Sequence, residues 1–199
     1  MRLTLRTAIL LVALGLIAGE QPAQAETRRE LSVFGGILTD NPWEEVVFTP
    51  WNAKYQEPGL VGVAAHFRLF DPLSTRMGEF SFWLEPQVVR HFNLQSHWEF
   101  NLPVVARLET KRPFLWVIDS FAFGIGPSHA SKVPAFEAQR GDGEAVQNLI
   151  YWHFELAHDL DGEADRSVFL RLHHRSDGYG LIGPGASSNG VVVGLRSAF

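Results

Sequence analysis

FSFWLEPQVV (residues 80–89) and HWEFNLPVVARLE (residues 97–109) alternate by twos. In the first, Phe80, Phe82, Leu84, Pro86 and Val88 oppose Ser81, Trp83, Glu85, Gln87 and Val89. In the second, Trp98, Phe100, Leu102, Val104, Ala106 and Leu108 oppose His97, Glu99, Asn101, Pro103, Val105, Arg107 and Glu109. Successive side chains of an extended chain point to opposite faces, so each segment reads as a β-strand with one continuous apolar face. The same period recurs on both sides. Leu31, Val33, Gly35 and Ile37 alternate with more mixed residues, and Val61, Val63, Ala65, Phe67 and Leu69 oppose Gly62, Ala64, His66 and Arg68. Residues 114–124 continue the pattern with Asp119 on the minority face, and Ile150, Trp152, Phe154 and Leu156 oppose Tyr151, His153 and Glu155. Two more segments near the C-terminus complete a set of eight.

Eight strands of about ten residues, each apolar on one face and charged on the other, fit an all-β, eight-stranded antiparallel transmembrane barrel. A soluble barrel or sandwich would alternate too, but would bury the apolar face and expose the charges. The terminal Phe199 and the aromatics near strand ends, Trp83, Trp98, Trp116, Trp152 and Phe169, favour the membrane form. Its interior would carry Arg68, Glu85, Glu99, Arg107, Asp119, Glu155, Arg171 and Arg196, charges of both signs that can pair and fill a barrel too narrow for a diffusion pore.

The N-terminus agrees. Residues 1–25 hold Arg2 and Arg6, an apolar run from Ala8 to Ala18 and a small-residue site at Ala23-Gln24-Ala25, the pattern of a secretory signal peptide cleaved before Glu26. The barrel domain would then be residues 26–199. Removing the leader takes away two arginines and one glutamate, which moves the net charge from −5 to −6 and leaves no basic footprint for nucleic acid. The chain has no cysteine, which excludes disulfides, thiolate metal sites and a cysteine nucleophile. Connections 40–58 and 125–145 are long and 178–188 is of medium length, whereas those near 71–78, 109–113 and 159–165 are shorter. That parity suits long external loops and short periplasmic turns, with the brief 93–96 connection as the exception.

Residues 168–199, VFLRLHHRSDGYGLIGPGASSNGVVVGLRSAF, hold the candidate chemistry. Val168, Leu170, Leu172, His174 and Ser176 share one face of the seventh strand, and Leu195, Val193, Val191 and Asn189 share one face of the eighth. The seventh strand runs outward, so His174 and Ser176 fall on the lipid side at the level of the outer-leaflet headgroups. The segment His174-Arg175-Ser176, with Asp177 next and a Gly/Pro/Asn-containing loop after it, resembles the motif of the outer-membrane lipid A deacylases, the PagL family. The motif covers roughly the last 30 residues of the chain, and the strand layout extends the likeness weakly over the rest.

The resemblance implies a serine esterase of the Gram-negative outer membrane that removes a 3-O-linked acyl chain from lipid A, with lipopolysaccharide as its partner. His174 would be the base and Ser176 the nucleophile. Asp177 stands where the family has Asn. The family's Glu on the last strand aligns with Asn189 when read back from Phe199, and with Val192 when aligned through Asn-Gly. Asn189 keeps the lipid-facing parity and can orient a histidine, though it also suits a simple turn-to-strand junction. Backbone amides between Gly178 and Gly190 are the candidates for an oxyanion site. No cofactor is implied, and His66, His97, His153 and His158 lack metal-ligand spacing. A homodimer is compatible with this reading. The alternative is a non-enzymatic small barrel, structural or loop-presenting, or an inactive relative.

Overall fold

The computed structural model describes residues 28–93, 95–141, 144–160, 165–182 and 187–199. The expected leader over residues 1–25 lies outside them, as do Gly183 and Gly185 of the last long loop. Among the described residues one antiparallel sheet contains β1 (Arg29–Thr39), β2 (Tyr55–Arg68), β3 (Leu73–Ser74), β4 (Gly78–Leu84), β5 (Gln87–Phe92), β6 (Trp98–Asn101), β7 (Val104–Phe114), β8 (Ile118–Ala130), β9 (Asn148–Asp159), β10 (Arg166–Ser176) and β11 (Ser187–Ala198). Two short helices interrupt the loops, α1 (Trp43–Phe48) and α2 (Ala135–Arg140).

Prolines explain why strands outnumber alternating segments. A proline has no N–H to give to the ladder. Pro86 therefore separates β4 from β5, and Pro103 separates β6 from β7. The wall stays continuous because the proline carbonyls still accept: Ala65 N–H donates to Pro86 O (3.1 Å) and Glu85 N–H to Pro103 O (3.0 Å). β2 accordingly pairs with both β4 and β5, and β8 with both β6 and β7. Apart from the two-residue β3, the strands group into eight staves, and the β8–β9 and β1–β11 pairings close them into a barrel.

Side-chain placement settles which face meets what. Leu31, Val33, Val61, Val63, Leu102, Val104, Ile125, Leu170, Val193 and Leu195 are each 45–55% exposed on the outer wall, while Glu30, Glu85, Glu99, Glu155, Arg107, Arg171 and Arg196 are buried inside. An apolar belt this extensive has no stable place in water, and lipid is the solvent that suits it. No described helix is long and apolar enough to cross a membrane. The crossing elements are the strands of a transmembrane β-barrel.

Three sequence expectations need correction. Trp83 and Phe169 are not belt aromatics: both are 1% exposed inside the barrel, where Trp83 Nε1–H donates to Ser81 Oγ (2.8 Å) and the Arg107 guanidinium lies over its ring at 4.4 Å. Space for the interior rings of Phe34 and Phe169 comes from Gly62 and Gly194, where any Cβ would collide with them. Asp119 is not interior. It follows the outward parity of Phe121 and Phe123, and its Oδ2 accepts from Asp159 N–H (2.9 Å) and contacts His158 Nδ1 (2.8 Å) at the rim. The turn placed near 109–113 is instead residues 115–117, because β7 runs on to Phe114 past a register shift. Leu115 and Trp116 make that turn with φ of 50° and 63°.

Inside, Arg171 joins two acids, with Nη2 at 2.8 Å from Glu85 Oε1 and 2.7 Å from Glu155 Oε2. Arg196 meets Glu155 at 2.6 Å and Glu30 at 3.3 Å, and Arg107 meets Glu30 at 2.8 Å. Nearer the loop end, α2 plugs the barrel. Phe136 and Glu137 are buried, and Glu137 Oε1 accepts from Arg175 Nη1 and Ser188 Oγ, both at 2.8 Å. Burial pushes the Glu137 carboxyl above its usual range even with Arg175 against it.

The two-faced wall predicts a labelling pattern. Single cysteines at Leu102 or Phe82 are expected to react with a lipid-phase reagent in reconstituted vesicles, whereas cysteines at Glu99 or Glu85 are not. Equal labelling of both pairs would mean that the strand registers are wrong.

Candidate functional site

The β10–β11 register pairs His174 with Asn189 and Ser176 with Ser187. Asn189 Oδ1 lies 2.5 Å from His174 Nδ1, and Asn189 Nδ2 donates to the backbone carbonyl of Asn41 at 2.9 Å. The second contact fixes the first. A carbonyl oxygen only accepts, so the amide nitrogen must face Asn41 and the amide oxygen must face the histidine. His174 Nδ1 is therefore the protonated nitrogen, and Nε2 is left with a lone pair. Val192, the other candidate for the third position, is wholly buried inside the barrel and cannot reach this face.

Asn41 is itself held. Its Oδ1 accepts from Lys54 N–H (2.6 Å) and Thr39 Oγ–H (3.1 Å), and its Nδ2 donates to Glu45 Oε2 (2.6 Å). These bonds tie the first long loop back on itself and lay α1 against the outer wall. Trp43 packs edge-on to Trp152 (5.6 Å between centroids), and Trp152 lies 4.4 Å from the His174 ring. The cover reads directly in exposure along one face of β10: Leu170 is 48% exposed, yet Leu172, one step closer to His174, is 6% exposed, like Val46 of α1 at 7%. Loop and helix thus shelter part of a face that would otherwise meet lipid.

His174, Ser176 and Asn189 line one cavity of about 230 Å³, with Trp43, Glu44, Trp152 and Arg140 around it. Arg140 comes from the last turn of α2 and donates to Thr39 O at 3.4 Å. A second cavity of about 380 Å³ continues down the same outer face. It is bounded by Val46, Val47 and Pro50 above and by Phe154, Leu156, Leu170, Leu172 and Val191 on the wall. A polar cavity with a histidine and a serine thus adjoins an apolar groove.

Ser176 Oγ accepts a hydrogen bond from Gly178 N–H at 3.4 Å, and that contact, not one with His174, is its hydrogen bond in this structure. Uncomplexed sites commonly show such loose geometry. Asp177 organises the turn that follows. Its carboxylate accepts from Tyr179 N–H (3.1 Å) and Gly180 N–H (2.9 Å), and its carbonyl accepts from Ile182 N–H (3.0 Å). The expectation that the loop's amides are open to an oxyanion therefore narrows: among the described loop amides these three are occupied, and Gly178 N–H faces the serine. Gly178, Tyr179 and Gly180 all have positive φ, which lets the loop turn tightly beside Ser176.

Sequence reasoning did not find the roles of Asn41, Trp43 and Arg140, which lie on a loop and on the two short helices. Nor did it find a second cluster, in the interior. His91, Glu99 and His173 come together there with ligand atoms within 4.8 Å of one another. The available signal was their shared inward parity on three strands.

No family model matches the sequence, and no curated relative matches it. Among solved structures, the crystal structure of the outer membrane enzyme PagL is similar with a TM-score of 0.58 at 14% identity, covering 83% of this chain and 97% of that one. The crystal structure of Neisserial surface protein A (NspA) gives a TM-score of 0.47 at 10% identity, covering 86% of this chain and 97% of that one. At such identity the likeness to PagL is one of fold.

Proposed function

We propose that this chain is an outer-membrane serine esterase that removes a 3-O-linked acyl chain from lipid A in the outer leaflet. The observation that carries the proposal is the His174–Asn189 hydrogen bond on the barrel's outer wall, beside Ser176 and directly above an apolar groove. The pair also has structural contacts, His174 against Trp152 and Asn189 on the Asn41 carbonyl. It suits an ester whose acyl tail lies along the wall, and the fold likeness to an outer membrane enzyme agrees with that reading.

The chemistry follows from the tautomer. His174 Nε2 takes the hydroxyl proton as Ser176 Oγ attacks the ester carbonyl carbon. For this the serine turns away from Gly178, and the released Gly178 N–H becomes a donor beside it for the oxyanion. Collapse expels the sugar 3-hydroxyl with the proton returned from His174, and water then cleaves the acyl-serine by the same route. Asn189 holds the ring through Nδ1 but brings no charge to stabilise the imidazolium. The acyl chain lies under Val46 and Val47, against Leu172 and Leu170.

The alternative, a barrel that presents loops without catalysis, draws on the Asn at the third position and on the loop amides occupied by Asp177. Mass analysis of lipid A separates the two. Cells expressing the parent chain are expected to show lipid A lighter by one hydroxyacyl group, and cells expressing Ser176→Ala are not. Identical lipid A from both strains would leave the loop-presenting barrel.

A further inference from the structure

We propose that the barrel interior contains a metal site, separate from the ester-cleaving pair, in which His91, Glu99 and His173 bind Zn²⁺. The three ligands come from β5, β6 and β10, and each is at most 2% exposed. Nε2 of His91 lies 2.8 Å from Glu99 Oε2, and Nε2 of His173 lies 2.9 Å from Glu99 Oε1. Two imidazole nitrogens and a carboxylate thus converge on one small volume, and His₂Glu is a donor set that zinc uses with a fourth position left for water.

The charge balance of the interior points the same way. Among the described residues the buried charged side chains are five glutamates and four arginines, and the half-buried Arg28 adds a further cation to Glu30 at 3.3 Å. Each buried arginine has a carboxylate within 2.8 Å: Arg107 on Glu30, Arg171 on Glu85 and Glu155, Arg175 on Glu137 and Arg196 on Glu155. Glu99 is the buried acid without an arginine in direct contact: Arg175 is no nearer than 4.0 Å, and the carboxylate's close partners are His91, His173 and Asn101 Nδ2–H (2.7 Å). A buried carboxylate without a cation is strongly unfavourable.

A proton on one of the histidines is the competing remedy, but it charges a single ring, whereas a divalent ion engages both Nε2 atoms and the carboxylate together. His91 Nδ1 faces the Gln95 amide nitrogen at 3.0 Å, so it accepts and the ring is neutral. His173 Nδ1 is buried without a protein partner, and it takes the ring proton whether Nε2 is engaged by a proton or by a metal ion. A divalent ion instead supplies charge to Glu99 and occupies both Nε2 atoms together. Arg175 does not block it, because its guanidinium is aimed at Glu137, Ser128 Oγ and Gln147 O. Binding through His91 Nε2 moves that ring's proton to Nδ1, and a half-turn of the Gln95 amide presents its oxygen to receive it, giving up the 3.4 Å hydrogen bond that Phe136 N–H donates to that oxygen. The ion would knit three staves together beneath the α2 plug.

The test uses the full chain, folded in detergent and stripped with chelator. One Zn²⁺ per chain is expected by titration, with a rise in the thermal midpoint, and X-ray absorption of the zinc protein is expected to count two imidazoles. Co²⁺ is expected to give visible bands of a low-coordinate N/O site. Glu99→Gln and His173→Asn are expected to weaken binding more than about a hundredfold, beyond the roughly ten- to hundredfold that loss of an outer partner costs, while His129→Asn, His158→Asn and Ser176→Ala leave it unchanged. The absorption measurement on the unaltered protein stands even if an interior variant fails to fold. No stoichiometric binding, a zinc with other than two imidazoles, or loss of binding in the rim variants His129→Asn or His158→Asn would each overturn the site.

Discussion

Ser176→Ala, His174→Ala and the double variant are expected to cleave acyl ester from lipid A equally slowly, on the order of 10⁴- to 10⁶-fold below the parent. Nucleophile and base act in one step, so removing either removes the step, and the second change finds nothing left to lose. Asn189→Ala is expected to fall less, on the order of tenfold to a thousandfold, because it frees the imidazole to turn and to change tautomer without removing a reacting group. The Asn41 carbonyl makes a further distinction. It receives the Asn189 amide N–H at 2.9 Å. Asn189→Glu, although it restores the residue of the resembling family, sets a carboxylate against that carbonyl and is expected to be no faster than the parent. All five variants should keep heat-modifiable migration, since the site lies outside the barrel core. Fatty-acid release by purified Ser176→Ala at the parent's rate would end the esterase reading.

The faces of the strands were legible because a period of two is written residue by residue, and the breaks at Pro86 and Pro103 follow from a missing N–H. Aromatic belt assignments failed where composition was allowed to outrank parity. Trp83 was grouped with interface aromatics although its own alternation set it with Ser81 and Glu85, and the structure follows the alternation. Asp119 failed in the opposite way: its charge suggested the interior, but at a strand end the outward face already reaches polar surroundings. For the site, register on neighbouring strands was enough to bring Asn189 opposite His174. The cover was not legible. A six-residue helix such as α1 is too short to show periodicity, and its position depends on the Asn41 bonds and on Trp43 meeting Trp152. The His91–Glu99–His173 cluster depends on closure of the whole barrel, which joins residues 74 positions apart.

The interior network carries the second large effect. Arg171→Met is expected to destabilise the folded barrel by about 3–5 kcal/mol, because it leaves two buried carboxylates short of their cation. Glu85 would keep the neutral Gln87 amide at 2.9 Å and its histidine contacts, His66 Nδ1 at 3.3 Å and His153 Nε2 at 3.9 Å, while Glu155 would keep Arg196. The lost guanidinium also sits 4.9 Å from the Phe169 ring and 5.5 Å from that of Phe34, contacts that methionine replaces only in part. The penalty comes from stranded charge more than from lost attraction, and a compensating change tests that directly. Adding Glu85→Gln and Glu155→Gln to Arg171→Met removes the unpaired charges, so the triple variant is expected to recover most of the loss. Exposed Arg112→Met should stay within about 0.5 kcal/mol of the parent. Denaturant unfolding in detergent, read as the shift in midpoint at constant slope, measures all three. If Arg171→Met unfolds within about 1 kcal/mol of the parent, or the triple variant is less stable than the single, the buried network is not what holds the barrel interior together.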